Sequence, residues 1–179
     1  MLRTALACLV LNYAVSAAEL PVLADLPAFE FTNSQGKKVG KKDLLGKVWV
    51  ADFIFTRCGG TCPILSAHMA DLQKAFLPRE DLKLVSFTVD PEHDKPKVLA
   101  KYAAKFNASS AWEFLTAPQK RTAELMSKGF LLAGGGGDEI AHSFRFVLVD
   151  KEGRIRGYYA VQEPEKLAAL KADLHSLLK

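Results

Sequence analysis

The stretch KVWVADFIFTRCGGTCPILS, Lys47 to Ser66, decides the fold of this 179-residue chain. Its first half, Lys47 to Phe55, is a nearly continuous run of apolar and β-branched residues, which predicts a strand buried on both faces. From Cys62 the pattern becomes helical, and Pro63 stands where the first turn of a helix tolerates proline. The sequence therefore predicts a strand that leads directly into a helix, with Cys58 and Cys62 at the junction.

Strands and helices alternate through the rest of the chain. The pattern predicts strands at Leu82 to Val89, Trp112 to Leu115, Ser143 to Val149 and Arg154 to Val161, and helices from Cys62 to Pro78, from Lys95 to Phe106, from a Thr116 cap with Pro118 in the first turn to about Leu132, and from about Glu163 onward. FEFTNSQGKKV predicts a hairpin that turns at Asn33 to Gly36. This alternation implies parallel crossovers, and the last strand pair adds an antiparallel edge. The predicted class is α/β: a thioredoxin-like fold with a mixed central sheet, flanking helices and an N-terminal hairpin.

The N-terminus has the three parts of a secretory signal peptide. Arg3 is followed by an apolar run from Ala5 to Val15 and by small residues at Ser16 to Ala18. Because a membrane-spanning helix needs about 20 apolar residues, the run favours cleavage over an uncleaved anchor, which remains the alternative. We expect a signal peptide at 1–18, one domain at 19–179, and export to the periplasm or an equivalent extracytoplasmic compartment, with or without a membrane anchor.

Charge and cysteine content argue against two classes of function, nucleic-acid binding and a purely structural disulfide. The 24 Lys and Arg residues exceed the 20 Asp and Glu by four, without a dense basic tract beyond GKKVGKK, which argues against nucleic-acid binding. Cys8 lies in the predicted signal, so the exported chain keeps only Cys58 and Cys62. As a structural staple this pair would stabilise little, because the loop that it closes is very short.

The spacing of the two cysteines leaves redox chemistry and metal binding open. Residues four apart on a helical turn can form a disulfide or converge on one ion, and the start of a helix favours thiolate in either case. Three residues separate Cys58 from Cys62, whereas the usual dithiol oxidoreductase motif has two. Two thiolates with one imidazole would suit Cu(I), whereas a structural zinc site normally needs four protein ligands.

Four histidines are candidates for a third ligand. His142 closes the glycine-rich loop GGGGDEIAH, from which it could reach the cysteines or simply pack in the loop. His93 lies in the turn-rich loop DPEHDKP, His68 points elsewhere around the first helix, and His175 is expected at the surface of the last one. Asp90 and Asp94 of the DPEHDKP loop are secondary candidates, either as turn formers or as site residues.

Four blocks of the sequence, FIFTRCGGTCPILS, FTVDPEHDKP, WEFLTA and IAHSFRFVLVDKEGRIRGYY, resemble the Sco/SenC family of copper-handling, thioredoxin-fold proteins of cytochrome c oxidase assembly. The resemblance implies that Cys58, Cys62 and His142 bind copper, as Cu(I) and also as Cu(II), and that the loop Val89 to Pro96 shapes the neighbouring surface. Two positions depart from the family pattern: Gly59-Gly60 replaces a Pro-Asp-like pair, and Ala141 stands where an Asp commonly precedes the histidine.

Three functions are consistent with these residues. The leading interpretation is a copper metallochaperone, not an enzyme. It would pass one copper ion to an acceptor such as the copper site of cytochrome c oxidase. A copper donor or a thiol reductant would be a further partner. The alternative is a thiol-disulfide oxidoreductase or redox sensor, in which Cys58 attacks and Cys62 resolves. A peroxiredoxin-like peroxidase is a weaker third interpretation that rests on Arg57 beside Cys58.

Overall fold

One mixed sheet organises the described residues, 19–132 and 144–179, of this computed structural model. The strands are β1 (Ala24–Asp25), β2 (Glu30–Asn33), β3 (Lys38–Gly40), β4 (Val48–Ile54), β5 (Leu82–Thr88), β6 (Trp112–Thr116), β7 (Arg145–Val149) and β8 (Arg154–Ala160). The helices are α1 (Lys41–Leu44), α2 (Thr61–Phe76), α3 (Pro96–Lys105), α4 (Gln119–Glu124) and α5 (Pro164–Leu177). The sheet order is β1-β8-β7-β4-β5-β6-β2-β3.

The predicted parallel centre of the sheet is confirmed. β4, β5 and β6 run parallel, with Val50 opposite Leu84 and Leu84 opposite Trp112. β7 joins the other side of β4 as an antiparallel neighbour, with Val149 opposite Trp49. The predicted antiparallel strand pair therefore exists, but it does not form the edge of the sheet, because β1 pairs outside β8.

Strand β4 separates two apolar layers, and every one of its seven residues is buried. Val48, Val50 and Ile54 face the layer that contains α2, α3 and α5. Trp49 and Phe53 face the opposite layer, which contains α1 and the segment after α4. Since alternate strand residues point to opposite faces, a strand that is covered on both faces must be apolar almost throughout.

Proline explains where most of the predicted helices begin and end. α2 ends two residues before Pro78, and α3 and α5 each begin with a proline. The expectation that Thr116 caps a helix is wrong. Thr116 is the last residue of β6, where it pairs with Thr32, and α4 begins only after Pro118. The helix then continues as a π-helical turn over Leu125–Gly129.

The N-terminal hairpin forms where it was predicted. The Asn33 side-chain oxygen accepts hydrogen bonds from the backbone N–H groups of Gln35 and Lys37, and Gly36 adopts a φ of +80° that favours glycine. The hairpin is part of the main sheet, because β2 pairs with β6. The short elements β1 and α1 were not predicted. Among the described residues, no helix has the length and apolarity needed to cross a bilayer.

Candidate metal centre

Cys58 and Cys62 lie at the carboxyl end of β4, as the sequence predicted, but they do not share one helical turn. Helix α2 begins at Thr61, so Cys58 precedes it in a turn in which its N–H donates to the carbonyl of Phe55 over 3.2 Å. Cys62 is the second residue of the helix and is only 2% exposed, whereas Cys58 is half-buried. Both cysteines are free thiols. One sulfur therefore lies at the surface and the other lies in the core beneath it.

The start of α2 stabilises the thiolate form of Cys58. Partial burial alone would raise the pKa of this thiol, but the backbone N–H groups of Cys62, Gly60 and Thr61, together with the Cys62 side chain, outweigh it and lower the pKa below that of a free cysteine. These N–H groups have no partner within the helix, so an anion at this position satisfies them. Cys58 is therefore the reactive thiol of the pair.

Cys62 has the opposite tendency. The pKa of its thiol is raised to about 12, mainly by burial and also by the hydrogen bond and charge of Cys58 and the charge of Asp52, against a lowering by the backbone at Phe55. Cys62 therefore keeps its proton at neutral pH until a metal ion or a second sulfur replaces it.

This difference gives a test of the pair. In the reduced protein at pH 7, we expect iodoacetamide to modify Cys58 about tenfold faster than Cys62, or more, because only the thiolate reacts. Mass spectrometry of the variants Cys58→Ser and Cys62→Ser would assign each rate. Faster modification of Cys62 would contradict the assignment.

A buried carboxylate fastens the segment before the cysteines to the loop after β5. Asp94 is fully buried and accepts hydrogen bonds from the backbone N–H of Thr56 at 3.0 Å, the hydroxyl of Thr88 at 2.6 Å and the Thr56 hydroxyl. Burial would raise the pKa of Asp94, but the bonds from Thr56, Thr88 and His93 hold it below its usual value. Asp94 thus fixes Thr56, two residues before Cys58.

Asp90 and His93 complete this connection. Asp90 accepts from the guanidinium of Arg57 at 2.6 Å, and the Nδ1 of His93 lies 2.9 Å from Asp94. Among the described residues, Asp90, His93 and Asp94 have ligand atoms within 4.8 Å of one another, a spacing that could hold a metal ion. Their oxygens already accept from Arg57, Thr56 and Thr88, so these residues act as turn formers and as supports of the cysteine loop. Arg57 is likewise engaged by Asp90.

A second carboxylate, Asp52, lies on the face of β4 that is turned toward α2, and the sequence interpretation did not single it out. It is fully buried, and neither of its carboxylate oxygens has a partner at hydrogen-bonding distance and angle. Ser86 is close enough to lower its pKa. Burial raises the pKa of Asp52 to about 7, and Ser86 and the backbone offset this only in part. The available signal was a single acidic residue inside the apolar run VWVADFIF.

The histidine predictions have different outcomes. His142 and the glycine-rich loop lie outside the described residues, so its ligand role stays a prediction; the signal peptide at 1–18 also lies outside them. His175 is exposed on α5 and packs over the ring of Phe76 at 4.8 Å between centroids. His68 is half-buried on α2, and among the described residues no histidine joins the cysteines in a ligand cluster.

Comparison with known proteins identifies the family. The family model described as SCO1/SenC matches residues 23–179. The chain belongs to the SCO1/SenC family. A curated relative, the SCO1 protein homolog of Bacillus subtilis strain 168, is 41% identical over 141 residues, which cover 75% of this chain and 73% of the relative.

Solved structures of SCO1/SenC proteins have the same fold. A SCO1/SenC family lipoprotein from Bacillus anthracis is 36% identical, with a TM-score of 0.78 over 87% of this chain and 96% of the other. BsSco, described as a Sco family cytochrome c oxidase assembly protein with a disulfide switch, is 37% identical, with a TM-score of 0.74 over 86% and 96%. ScoI of Bradyrhizobium japonicum, solved with copper bound, is 24% identical with a TM-score of 0.67 over 83% and 99%, a likeness of fold.

Proposed function

We propose that this SCO1/SenC protein is a copper metallochaperone that carries one copper ion on Cys58, Cys62 and His142. The observation that carries the proposal is the unequal thiol pair at the start of α2, with a half-buried sulfur that favours thiolate above a buried sulfur that keeps its proton. Two such sulfurs are soft ligands that suit Cu(I), and the half-buried position of Cys58 leaves room for a third ligand and for an acceptor protein.

The two thiols would act in order. Copper, as the cargo, first meets Cys58, the more exposed sulfur, whose lowered pKa makes loss of its proton easier than at Cys62. Cys62 then binds as it releases its proton, which the charge of the metal ion makes favourable in spite of burial. Transfer to an acceptor reverses this order, because Cys58 is the sulfur that an incoming ligand can reach.

The proposed acceptor is the copper site of cytochrome c oxidase, in an extracytoplasmic compartment. The description of BsSco as an assembly protein of this oxidase supports the acceptor, and the description of the Bacillus anthracis relative as a lipoprotein supports location at a membrane outside the cytoplasm. The predicted signal peptide at 1–18 agrees with export.

Copper titration of the reduced protein tests the proposal. In competition with a Cu(I) chelator, we expect one ion per chain and loss of binding in Cys58→Ser and Cys62→Ser. In His142→Ala we expect the copper affinity to fall by about tenfold or more, because removal of a residue that only hydrogen-bonds to a metal ligand already lowers metal affinity by that factor. His175→Ala removes an exposed histidine and is the matched control. Unchanged affinity in His142→Ala would remove the third ligand, and unchanged affinity in both cysteine variants would overturn the function.

The unequal thiols also favour a second candidate, a thiol-disulfide oxidoreductase or redox sensor. Cys58 thiolate would attack a partner disulfide, and Cys62 would then displace the partner's thiol, so that the protein gains one disulfide and the partner gains two electrons and two protons. Reductase turnover of copper-free protein that survives His142→Ala but not Cys58→Ser would favour this function over the chaperone.

A further inference from the structure

A groove with an excess of lysines lies at the end of the sheet away from the cysteines. We call it the basal groove; it has a volume of about 790 Å³ and is lined at the starts of β4 and β5, at the end of α2 and before β6. Its charged residues are Lys47, Lys74, Arg79 and Lys83 against one carboxylate, Glu80. The groove therefore presents a positive surface.

Most of this positive charge is not neutralised by neighbouring acids. Arg79 is paired with Asp81 at 2.8 Å, but the Lys83 ammonium donates to the carbonyl of Ser110 at 3.1 Å, which leaves its charge uncompensated. Lys74 has only a long contact of 3.9 Å to Asp71, and Lys47 has no ion pair among the described residues. Three lysines thus remain available to an anion.

The N-terminal segment meets the rest of the protein at this same end. Arg156 donates to the backbone carbonyls of Leu20 and Pro21, and its other nitrogen binds Asp150 at 2.8 Å. Asp150 directly follows β7, whose last residue lies opposite Trp49 near the start of β4. Leu20 and Pro21, near the first residue that the structure describes, therefore lie at the basal end.

We propose that the basal groove docks on the anionic phosphate headgroups of a phospholipid bilayer. Lysines near such a surface are each attracted to it. If the apolar run from Ala5 to Val15 is kept as an uncleaved anchor, the chain also enters the protein at this end. β4 spans seven residues at about 3.3 Å each, so docking holds the start of α2 about 20 Å farther from the lipid, with Cys58 facing away from the bilayer.

Lysine footprinting of the full chain tests this orientation. The protein is incorporated into bilayer discs of phosphatidylglycerol or of phosphatidylcholine, and the rate of acetylation of each lysine is measured by mass spectrometry. In phosphatidylglycerol discs we expect Lys47, Lys74 and Lys83 to react several-fold more slowly, while Lys97, Lys101 and Lys120, which lie on α3 and α4, keep their rates. In 1 M salt the protection should disappear, because the Debye length falls to about 3 Å.

Two triple variants distinguish an effect of the groove lysines from an effect of the protein's total positive charge. Lys151, on the turn between β7 and β8 at the basal end, reports docking in both. Its protection should be lost when Lys47, Lys74 and Lys83 are all changed to Gln, and retained when Lys97, Lys101 and Lys120 are changed to Gln. Equal rates in the two kinds of disc would overturn the proposal, as would equal effects of the two variants. Protection of the groove lysines by inorganic phosphate alone would make the groove a site for free anions and would also overturn docking on lipid.

Discussion

Replacing Asp94 with alanine is expected to destabilise the fold by about 2 to 4 kcal/mol, because a buried donor left without its acceptor costs about 1 to 3 kcal/mol. The variant leaves the hydroxyls of Thr56 and Thr88 without their acceptor. Because the Asp94 side chain is fully buried, water does not replace it as the acceptor. It also releases the backbone N–H of Thr56. Urea unfolding of the reduced protein at pH 7 measures this loss.

The matched control is Asp90→Ala, four residues earlier in the same loop. Asp90 pairs with Arg57, whose side chain is 61% exposed, and ion pairs of this kind contribute about 1 kcal/mol or less. If Asp94→Ala cost no more than Asp90→Ala, Asp94 would not be the residue that fastens the cysteine loop. A change in the alkylation rate of Cys58 in folded Asp94→Ala protein would show that the fastening reaches the thiol.

The pH dependence of Asp94 has a definite sign. Its pKa is depressed in the folded protein, so its contribution to stability is present above the unfolded pKa of 3.8 and is lost as the pH falls through the lower folded value. The stability of Asp94→Ala should therefore approach that of the wild type in strong acid.

Replacing Asp52 with asparagine is expected to stabilise the protein in alkaline solution. Burial raises the pKa of Asp52 from 3.8 to about 7, so the folded state resists ionisation of a carboxylate that ionises freely when unfolded. The wild type should then lose stability as the pH rises between these two values, by about 4 kcal/mol at most. An amide of the same shape cannot ionise, so the variant should not show this loss.

Urea unfolding at pH 4.5, 6 and 8 would check this expectation. The two proteins should differ little at pH 4.5, and the variant should be the more stable one at pH 8. Asp71→Asn, on the exposed side of α2, is the control and should leave the pH profile unchanged. A variant that is less stable than the wild type at pH 8 would mean that the Asp52 charge is compensated in the folded protein.

The main elements of the fold could be predicted because local chemistry and tertiary structure agree in them. β4 and β5 are mostly apolar because both of their faces are covered, and prolines mark α2, α3 and α5. β1 and α1 have only two and four residues, too few for a periodic signal. Thr116 was assigned to a helix because Thr before Pro resembles a cap, but pairing with β2 keeps it in a strand.

The reactive residues of the candidate site could be predicted from the sequence better than the contacts that hold them in place. Two closely spaced cysteines and a proline at the start of a helix are visible in the sequence, and so is the loop that carries Asp94. That Asp94 reaches back 38 positions to Thr56 depends on the parallel pairing of β4 with β5, which no local pattern encodes. The burial of Asp52 likewise follows from α2 packing over β4.

The two outermost strands of the sheet are very short. Within residues 19–132 and 144–179, β1 has two residues and β3 has three, with Lys38 exposed on β3. An uncovered strand edge offers free backbone groups to other chains, and short, lysine-bearing edges limit such pairing. The eight-stranded sheet therefore leaves little unpaired strand at either edge on which another chain could add.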